Sequence, residues 1–248
     1  MKPILAAAVL AAALSAAHAI DVADSIAPGS PLIGILHGES ERSLLLAPVE
    51  LRAREGGHVV AASRLFRIRG LRYGFVLGVP PGLPPGSYVV RSAGEEAAVQ
   101  VVPRSFRREK IRLDALLSDL VTRVDPVKEA ENVELERLLS GFDVEALWHF
   151  GDFVLPVADT RRTSLYGDER EYLLADGSVL VGVHRGVDLA HPAGTPVVAA
   201  ASGRVAMAKA RIMSGNTVVI EHLPGVYSLY YHLADLGVGG IVTNVGFE

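Results

Sequence analysis

The chain has 248 residues, a length that suits one large domain or two smaller ones. Its formal net charge is -4 and no block of like charges is present, so the composition gives no indication of a nucleic-acid partner. It has no cysteine, which excludes disulfide bonds and thiolate metal ligands and leaves histidines and carboxylates as the residues able to hold a metal ion.

The N-terminal segment has the pattern of a secretory signal peptide. Lys2 supplies a positive charge, an apolar run extends from Pro3 to Ala16, and Ala17-His18-Ala19 is a small-x-small cleavage sequence. The alternative is an uncleaved anchor helix, which needs roughly 20 apolar residues, and this run is shorter. We therefore expect residues 1–19 to be removed. The protein is then predicted to be exported to the periplasm or cell envelope, with no membrane span after cleavage.

Residues 20–102 are predicted to form a β domain. Short runs rich in Val, Ile and Leu are separated there by turns that contain Gly and Pro. The predicted strands are Pro31 to Leu36, Ser43 to Leu51, His58 to Arg67, Tyr73 to Leu77, Gly86 to Arg91 and Ala97 to Val102. Strands at this spacing favour a small antiparallel sandwich, and the sequence around Tyr88 suits the late hairpin of an immunoglobulin-like module. No residue of this part indicates catalysis.

Residues 103–150 are predicted to form a helical connector. Apolar residues recur at helical spacing from Lys110 to Arg123, and Asp125-Pro126 is a favourable start for a second helix, which Gly141 ends. Four glutamates lie on this second helix and allow two interpretations, acid/base chemistry or a solvated helix face. They are Glu129, Glu131, Glu134 and Glu136. We predict the solvated face.

Residues 151–248 return to a strand-rich pattern. Asp176-Gly177 is predicted to form a tight hairpin turn. The predicted strands are Phe153 to Val157, Ser178 to Asp188, Val197 to Met207, Asn216 to His222 and Tyr227 to Leu233. We expect the last three of these strands to belong to one antiparallel sheet. The predicted fold class of the whole chain is therefore mainly β.

His184 and Asp188 are the candidate metal ligands. Residues four apart in an extended chain share a face, so the imidazole and the carboxylate could each approach a zinc ion at roughly 2.0–2.2 Å. His232, on the strand from Tyr227 to Leu233, is a further candidate. A His-x-x-x-Asp match alone is weak, because a histidine that caps a turn and an aspartate that closes it give the same pattern.

The pair lies within an ordered series of motifs. The series is His184-Arg185-Gly186-Val187-Asp188, Pro192-x-Gly194-Thr195-Pro196-Val197, Gly203-x-Val205, Gly215-Asn216-x-Val218-x-Ile220-x-His222 and Leu229-Tyr230-x-His232-Leu233. This series resembles the lysostaphin/LytM-type zinc metallopeptidases (metallopeptidase family 23), which cleave peptide cross-links in bacterial cell walls. The resemblance covers about the last third of the chain. The segment from Thr163 to Gly167, with Arg170 and Tyr172, looks like the part of these enzymes that enters the active-site groove.

The resemblance implies a set of roles and a substrate. One zinc ion would be bound by His184, Asp188 and a further histidine, with one position left for water. His232 matches a histidine that does not bind the metal but orients the water or stabilises the tetrahedral intermediate. The substrates would be stem or cross-bridge peptides of peptidoglycan. His149, His191 and His222 are interpreted as structural or exposed.

One departure from the family pattern concerns the third ligand. The family's His-x-His motif does not occur in the chain, which ends in the run from Gly239 to Glu248. The sequence therefore predicts an incomplete LytM-type domain, truncated before that motif, with weak zinc binding and impaired activity. Two functions stay open, an exported zinc metalloendopeptidase and a non-catalytic regulator that binds and activates a cell-wall amidase. The presence of His184, Asp188 and His232 favours the first.

Overall fold

The computed structural model describes residues 20–37, 44–69, 72–149, 151–158, 161–237 and 241–242. The chain divides into two compact units, Met1–Ser105 and Phe106–Glu248. The predicted signal peptide lies outside the described residues, as do the last six residues of the chain. The fold is mainly β, as predicted, and most of the strand pairs are antiparallel.

The first unit forms two sheets. Its described strands are β1 (Ile20–Val22), β2 (Ser25–Ile26), β3 (Pro31–His37), β4 (Pro48–Ala53), β5 (Val59–Arg64), β6 (Phe66–Arg69), β7 (Arg72–Gly78), β8 (Gly86–Ser92) and β9 (Glu95–Val101). One sheet has the order β1-β3-β7-β6 and the other β2-β9-β8-β4-β5. Residues Ala93 and Gly94 form the turn of the predicted β8–β9 hairpin, both with positive φ (50° and 87°), as a two-residue hairpin turn requires.

Both sheets contribute to one apolar core. Alternate residues of β3 are buried, because successive side chains of a strand point to opposite faces. Leu32 and Phe75 of one sheet belong to the same buried cluster as Leu51 and Val90 of the other. The predicted antiparallel sandwich is therefore present in this unit, while its immunoglobulin-like character stays a prediction.

The second unit contains two helices and several small sheets in its described part. Its elements are β10 (Arg108–Arg112), α1 (Ala115–Thr122), α2 (Pro126–Leu139), β11 (Arg161–Ser164), β12 (Glu169–Leu173), β13 (Val179–Val183), β14 (Asp188–Ala190), β15 (Gly203–Arg211), β16 (Gly215–Leu223), β17 (Val226–Leu233) and β18 (Ile241–Val242). The sheets have the orders β10-β12-β13, β11-β14 and β17-β16-β15-β18. Neither helix is long and apolar enough to cross a membrane, and the search covered the described residues alone.

The helix predicted from Lys110 to Arg123 is wrong for its first five residues. Residues Arg108–Arg112 form β10, which pairs in parallel with β12, and α1 begins only after Asp114, whose side chain accepts a hydrogen bond from Leu117 N–H at 2.8 Å. Pairing with a distant strand has overridden the local helical pattern. The predicted start of α2 is confirmed, since Asp125 caps it and Pro126 is its first residue.

Three of the four glutamates predicted to form a solvated face of α2 are exposed, and the fourth, Glu131, is partly buried. Glu131 accepts a hydrogen bond from Ile212 N–H at 2.8 Å, and Glu134 pairs with Lys209. Arg211, which is buried, donates to the carbonyl oxygen of Glu131 at 3.1 Å. Polar contacts of this kind link α2 to β15 and to the turn that follows β15.

The strand predicted from Phe153 to Val157 is absent from the described residues. The strand predicted from Val197 to Met207 begins only at Gly203, as β15, and a third predicted strand is interrupted. Residues 153–157 and 197–202 are irregular, although Val154 N–H donates to Ala200 O at 2.8 Å and Val198 N–H donates to Pro156 O at 2.9 Å. Pro156 and Pro196 lack the N–H groups that a regular ladder needs. The strand expected from Ser178 to Asp188 is likewise two strands, β13 and β14, with a bend at Gly186.

Candidate metal-binding site

The structure brings His184 and Asp188 together at a break between two strands. His184 directly follows β13, and Asp188 is the first residue of β14. The bend between them lets the imidazole and the carboxylate meet, with Nε2 of His184 at 3.1 Å from Oδ1 of Asp188. The His184 side chain is 13% exposed, whereas that of Asp188 is 50% exposed. The two candidate ligands thus form a pair that solvent reaches from the Asp188 side.

The other nitrogen of His184 is fixed by the loop after β11. Nδ1 lies 3.1 Å from the carbonyl oxygen of Leu165 and 3.2 Å from Oγ of Ser164. A carbonyl oxygen only accepts hydrogen bonds, so we assign the ring proton to Nδ1. The Nε2 lone pair then faces a carboxylate oxygen. Two such acceptors are stable at this distance only with a second proton or a metal cation between them.

The second oxygen of Asp188 has a different partner. Nη2 of Arg170 donates to Oδ2 of Asp188 at 2.7 Å and to Oγ of Ser164 at 2.7 Å. The Arg170 side chain is 14% exposed. The sequence places Arg170 in the segment that resembles the active-site groove, but no sequence pattern predicts its contact with Asp188.

Ser164 and Asp168 form a buried polar layer beside His184. Each is 4% exposed, and Oγ of Ser164 donates to Oδ2 of Asp168 at 3.2 Å. The backbone N–H of Leu165, which donates to the same carboxylate at 2.9 Å, holds the pKa of Asp168 below its ordinary value against the opposing effect of burial. Asp168 therefore acts as an ionised acceptor that organises the loop carrying the Leu165 carbonyl.

Strand β10 also reaches this layer. Oε1 of Glu109 pairs with Arg107, and Oε2 of Glu109 lies 3.4 Å from Nε of Arg170. Arg107 donates in turn to Thr163 O at 2.8 Å. Glu109 and Arg107 are not identifiable as site residues from the sequence, because their segment has the pattern of the helical connector. The parallel pairing of β10 with β12, which no local pattern shows, is what brings them to the site.

His232 lies on β17 in a distorted part of the strand. Asn216 pairs with Leu233, but Val218 pairs with Tyr230, so two residues of β17 oppose one of β16. The extra residue forms a β-bulge, and His232 takes a φ of 58°, which is uncommon outside glycine. The side chain is exposed. Bulges of this kind redirect side chains and are frequent beside active sites.

No group of three or more His, Cys, Asp or Glu side chains in the described part of the chain is arranged to hold a metal ion. The pair formed by His184 and Asp188 nevertheless fits zinc as two ligands. Ligand atoms on a tetrahedral zinc ion with bonds of about 2.0–2.1 Å lie about 3.3 Å apart. The observed separation of 3.1 Å is close to that value. Imidazole nitrogen and carboxylate oxygen are also ordinary zinc donors.

The remaining histidines of the second unit have structural contacts. His222 is fully buried, with Nδ1 at 2.8 Å from Ser202 O and Nε2 at 2.7 Å from Oγ of Ser228. Burial lowers the pKa of His222, because a charged imidazolium would lose its hydration there. His149 and His191 are each within hydrogen-bond distance of a carbonyl oxygen, at 3.2 and 3.0 Å. Their interpretation as structural residues agrees with these contacts.

Comparison with known proteins places this site in a family. The model of peptidase family M23 matches residues 182–244, a segment that includes His184, Asp188 and His232. A candidate M23 peptidase from Pseudomonas aeruginosa superposes with a TM-score of 0.53 at 26% identity, over 89% of this chain and 80% of that one. The similarity therefore extends well beyond the matched segment.

Two curated relatives match a shorter stretch. The DD-carboxypeptidase/endopeptidase Mpg of Neisseria meningitidis serogroup B is 36% identical over 93 residues, and so is the Mpg protein of Neisseria gonorrhoeae. The match covers 37% of this chain and spans 21% of the length of each relative.

Fold and comparisons together support a β-rich protein in which residues 182–244 match the peptidase domain of family M23, the family of the LytM-type enzymes.

Proposed function

We propose that the protein is a zinc-dependent peptidase that hydrolyses peptide bonds of bacterial peptidoglycan outside the cytoplasm. The observation that carries the proposal is the 3.1 Å contact between His184 Nε2 and Asp188 Oδ1 inside the segment that matches family M23. The Neisseria relatives, which carry the name DD-carboxypeptidase/endopeptidase, support a cell-wall peptide as substrate. Export is proposed from the pattern of the first nineteen residues.

His184 would hold the metal through Nε2 and Asp188 through Oδ1. The Leu165 carbonyl fixes the imidazole so that the Nε2 lone pair points away from it, which is the usual arrangement of a ligating histidine. When bound, zinc supplies a Lewis acid for the scissile carbonyl and brings the pKa of a bound water close to 7. Because half of the Asp188 side chain is exposed, a peptide can approach from that side.

We propose that His232 acts on the reacting atoms without binding the metal. Its exposed imidazole can accept a proton from the attacking water or donate to the oxyanion that forms as the carbonyl is attacked. The β-bulge and the positive φ of His232 support a functional role, since strained backbone is concentrated at functional sites. The amidase-activating regulator, which the sequence left open, gains no support from the relatives.

The test is zinc retention and peptidoglycan hydrolysis by the whole chain. After dialysis against excess zinc and then buffer, bound metal is measured by atomic emission, and hydrolysis is followed by dye release from purified cell walls. We expect His184→Ala and Asp188→Ala to lose the bound zinc and any hydrolysis that the unsubstituted chain shows. His232→Ala is expected to bind zinc as the unsubstituted chain does and to lower any turnover that this chain shows by roughly 10²–10⁴-fold, as the loss of a proton-transfer group does.

His191→Ala is the matched control, because it removes an exposed histidine just beyond β14. It should retain zinc and hydrolysis. Zinc retention that is unchanged in both ligand variants would contradict the site. Hydrolysis that survives in a zinc-free Asp188 variant would contradict the proposed chemistry.

A further inference from the structure

Arg170 and Asp188 form an ion pair whose two side chains differ in solvent exposure. The Arg170 side chain is 14% exposed and the Asp188 side chain is 50% exposed, and Nη2 of Arg170 donates to Oδ2 of Asp188 at 2.7 Å. The same Nη2 also donates to Oγ of Ser164, at 2.7 Å. A nearly buried and anchored cation thus holds a carboxylate that would otherwise rotate in solvent.

Strand register explains why Arg170 faces the site. Glu109 of β10 is the Cα partner of Arg170 in β12, while Arg108 is the partner of Glu169. Side chains alternate between the two faces of a sheet, so Glu109 and Arg170 share one face, and Arg108 and Glu169 share the other. On the shared face, Oε2 of Glu109 lies 3.4 Å from Nε of Arg170. The guanidinium therefore lies between Glu109, which forms an ion pair with it but no hydrogen bond to Nε, and Asp188, which accepts a hydrogen bond from Nη2.

We propose that Arg170 is a positioning residue that prepares Asp188 for metal binding through a single oxygen. Its contact with Oδ2 leaves Oδ1, the oxygen 3.1 Å from His184 Nε2, as the one directed at the metal position. The Asp188 side chain is therefore already ordered before zinc binds, so binding has a smaller entropy cost. The inference rests on the proposed function, since it takes His184 and Asp188 as the ligand pair.

The positive charge of Arg170 and its position have opposite effects on the affinity for zinc. A lone guanidinium next to a ligand carboxylate would repel a metal cation and weaken binding. Glu109 lies 3.4 Å from the same guanidinium and reduces the repulsion that Arg170 exerts on a cation in the intact protein. We therefore expect the positional effect to dominate and zinc to bind less tightly without Arg170.

The experiment measures the zinc affinity of the whole chain by competition with a chromophoric chelator. Arg170→Met is expected to weaken zinc binding by roughly 10–100-fold, the usual effect of losing a group that orients a metal ligand. The matched control is Arg108→Met, which removes an ion pair between the same two strands on the opposite face. It should leave the affinity unchanged. Melting curves in a chelating buffer show whether each variant is folded.

A second substitution at the same position separates the position of the guanidinium from its charge. Arg170→Lys keeps the charge and is less prone to unfold the protein. It should lose part of the affinity, since one ammonium cannot reach Asp188, Ser164 and Glu109 together.

One result would overturn the inference, namely a zinc affinity of Arg170→Met and Arg170→Lys equal to that of Arg108→Met. It leaves the proposed function intact when His184→Ala and Asp188→Ala still lose zinc. If those two ligand variants retain zinc, the proposed metal pair itself is wrong.

Discussion

The core of the first unit consists of apolar side chains from both of its sheets, whereas many of the residues that the second unit buries are polar. Ser92 is the buried polar residue among the described residues of the first unit. The second unit buries Ser118, Ser164, Asp168, Arg211, Ser214, Thr217, Glu221 and His222. Its apolar cluster is correspondingly small, with Ala199, Val218, Ile220 and Tyr230 as the buried members.

This difference separates two ways of holding side chains in place. Apolar contacts are non-directional and stabilise the first unit in proportion to the area they bury. Buried polar groups must be hydrogen-bonded, and each bond also fixes an orientation. Around His184 that orientation is what matters, because Ser164 and the Leu165 carbonyl determine which nitrogen is free. We therefore expect substitutions in the first unit to change its stability alone, whereas substitutions in the second unit should also change how its stability depends on pH.

The largest expected effect is on the apolar core. Phe75 is 1% exposed and packs over Gly34 of the neighbouring strand, where a Cβ would lie 2.2 Å from the ring. Phe75→Ala is expected to lower the free energy of unfolding of the first unit by about 3–5 kcal/mol, because it removes buried area and leaves a cavity. Native-state hydrogen exchange at the amides of β7 and β8 measures this loss.

Two controls accompany the Phe75 variant. Ile33→Ala changes a 36% exposed residue on β3 and should cost less than about 1 kcal/mol. Amides of β16 serve as the internal comparison in the second unit. An equal loss of protection in β16 and β7 would contradict the division into separate cores.

An intermediate effect is expected at His222. Both ring nitrogens are bonded, and the Ser228 hydroxyl continues the network to the Tyr230 hydroxyl at 2.9 Å. His222→Gln should cost about 1–3 kcal/mol, because it leaves buried partners unsatisfied. Trp148, the one tryptophan of the chain, donates its backbone N–H to His222 O at 3.0 Å. Its fluorescence during urea unfolding therefore reports on this network.

The same residue should make the second unit sensitive to acid. Burial lowers the pKa of His222 below its ordinary value of 6.5, so the unfolded chain binds the proton first as the pH falls. Stability is then complete above about pH 6.5 and is lost as the pH falls towards the folded-state pKa. In His222→Gln the loss between about pH 8 and pH 5 should be shallower. An unchanged slope would show that other groups cause the acid sensitivity.

Much of the fold is predictable from local patterns. The alternation of buried and exposed residues in β3 and β9 and the turn residues between β8 and β9 are visible in the sequence. Strand β10 is not, because Ile111 and Leu113 suit a helix as well as a strand. This segment is a strand because β10 pairs in parallel with β12, and that contact joins segments far apart in the sequence.

The candidate site is likewise only partly predictable from the sequence. The spacing of His184 and Asp188 within an ordered series of motifs is enough to find both residues. The series gives no sign of Glu109, which reaches Arg170 only through the pairing of β10 with β12. The bulge that turns His232 out of the regular strand is also invisible, since it depends on the register of β17 against β16.

The smallest expected effect lies at Tyr227 and is confined to high pH. Tyr227 donates its hydroxyl to Oε1 of the buried Glu221 at 3.0 Å, and Glu221 also pairs with Arg204. Burial, with the nearby Glu221 carboxylate as the next cause, raises the pKa of Tyr227 from 10.0 to about 12. Between these values the unfolded chain has lost the phenolic proton while the folded chain keeps it. Stability is therefore complete below about pH 10 and is lost as the pH rises towards about 12.

Tyr227→Phe should remove that part of the alkaline loss at a cost of about 0.5–1.5 kcal/mol near neutral pH, the usual contribution of one hydrogen bond. Urea unfolding followed by Trp148 fluorescence gives the stability, and phenolate absorbance gives the titration. Tyr166→Phe is the matched control, because it removes a phenol from the loop between β11 and β12 of the same unit. The Tyr166 variant should keep the alkaline loss of the unsubstituted chain. If the Tyr227 variant keeps it as well, the buried contact with Glu221 does not couple this unit to pH, and the contrast between the two cores rests on His222 alone.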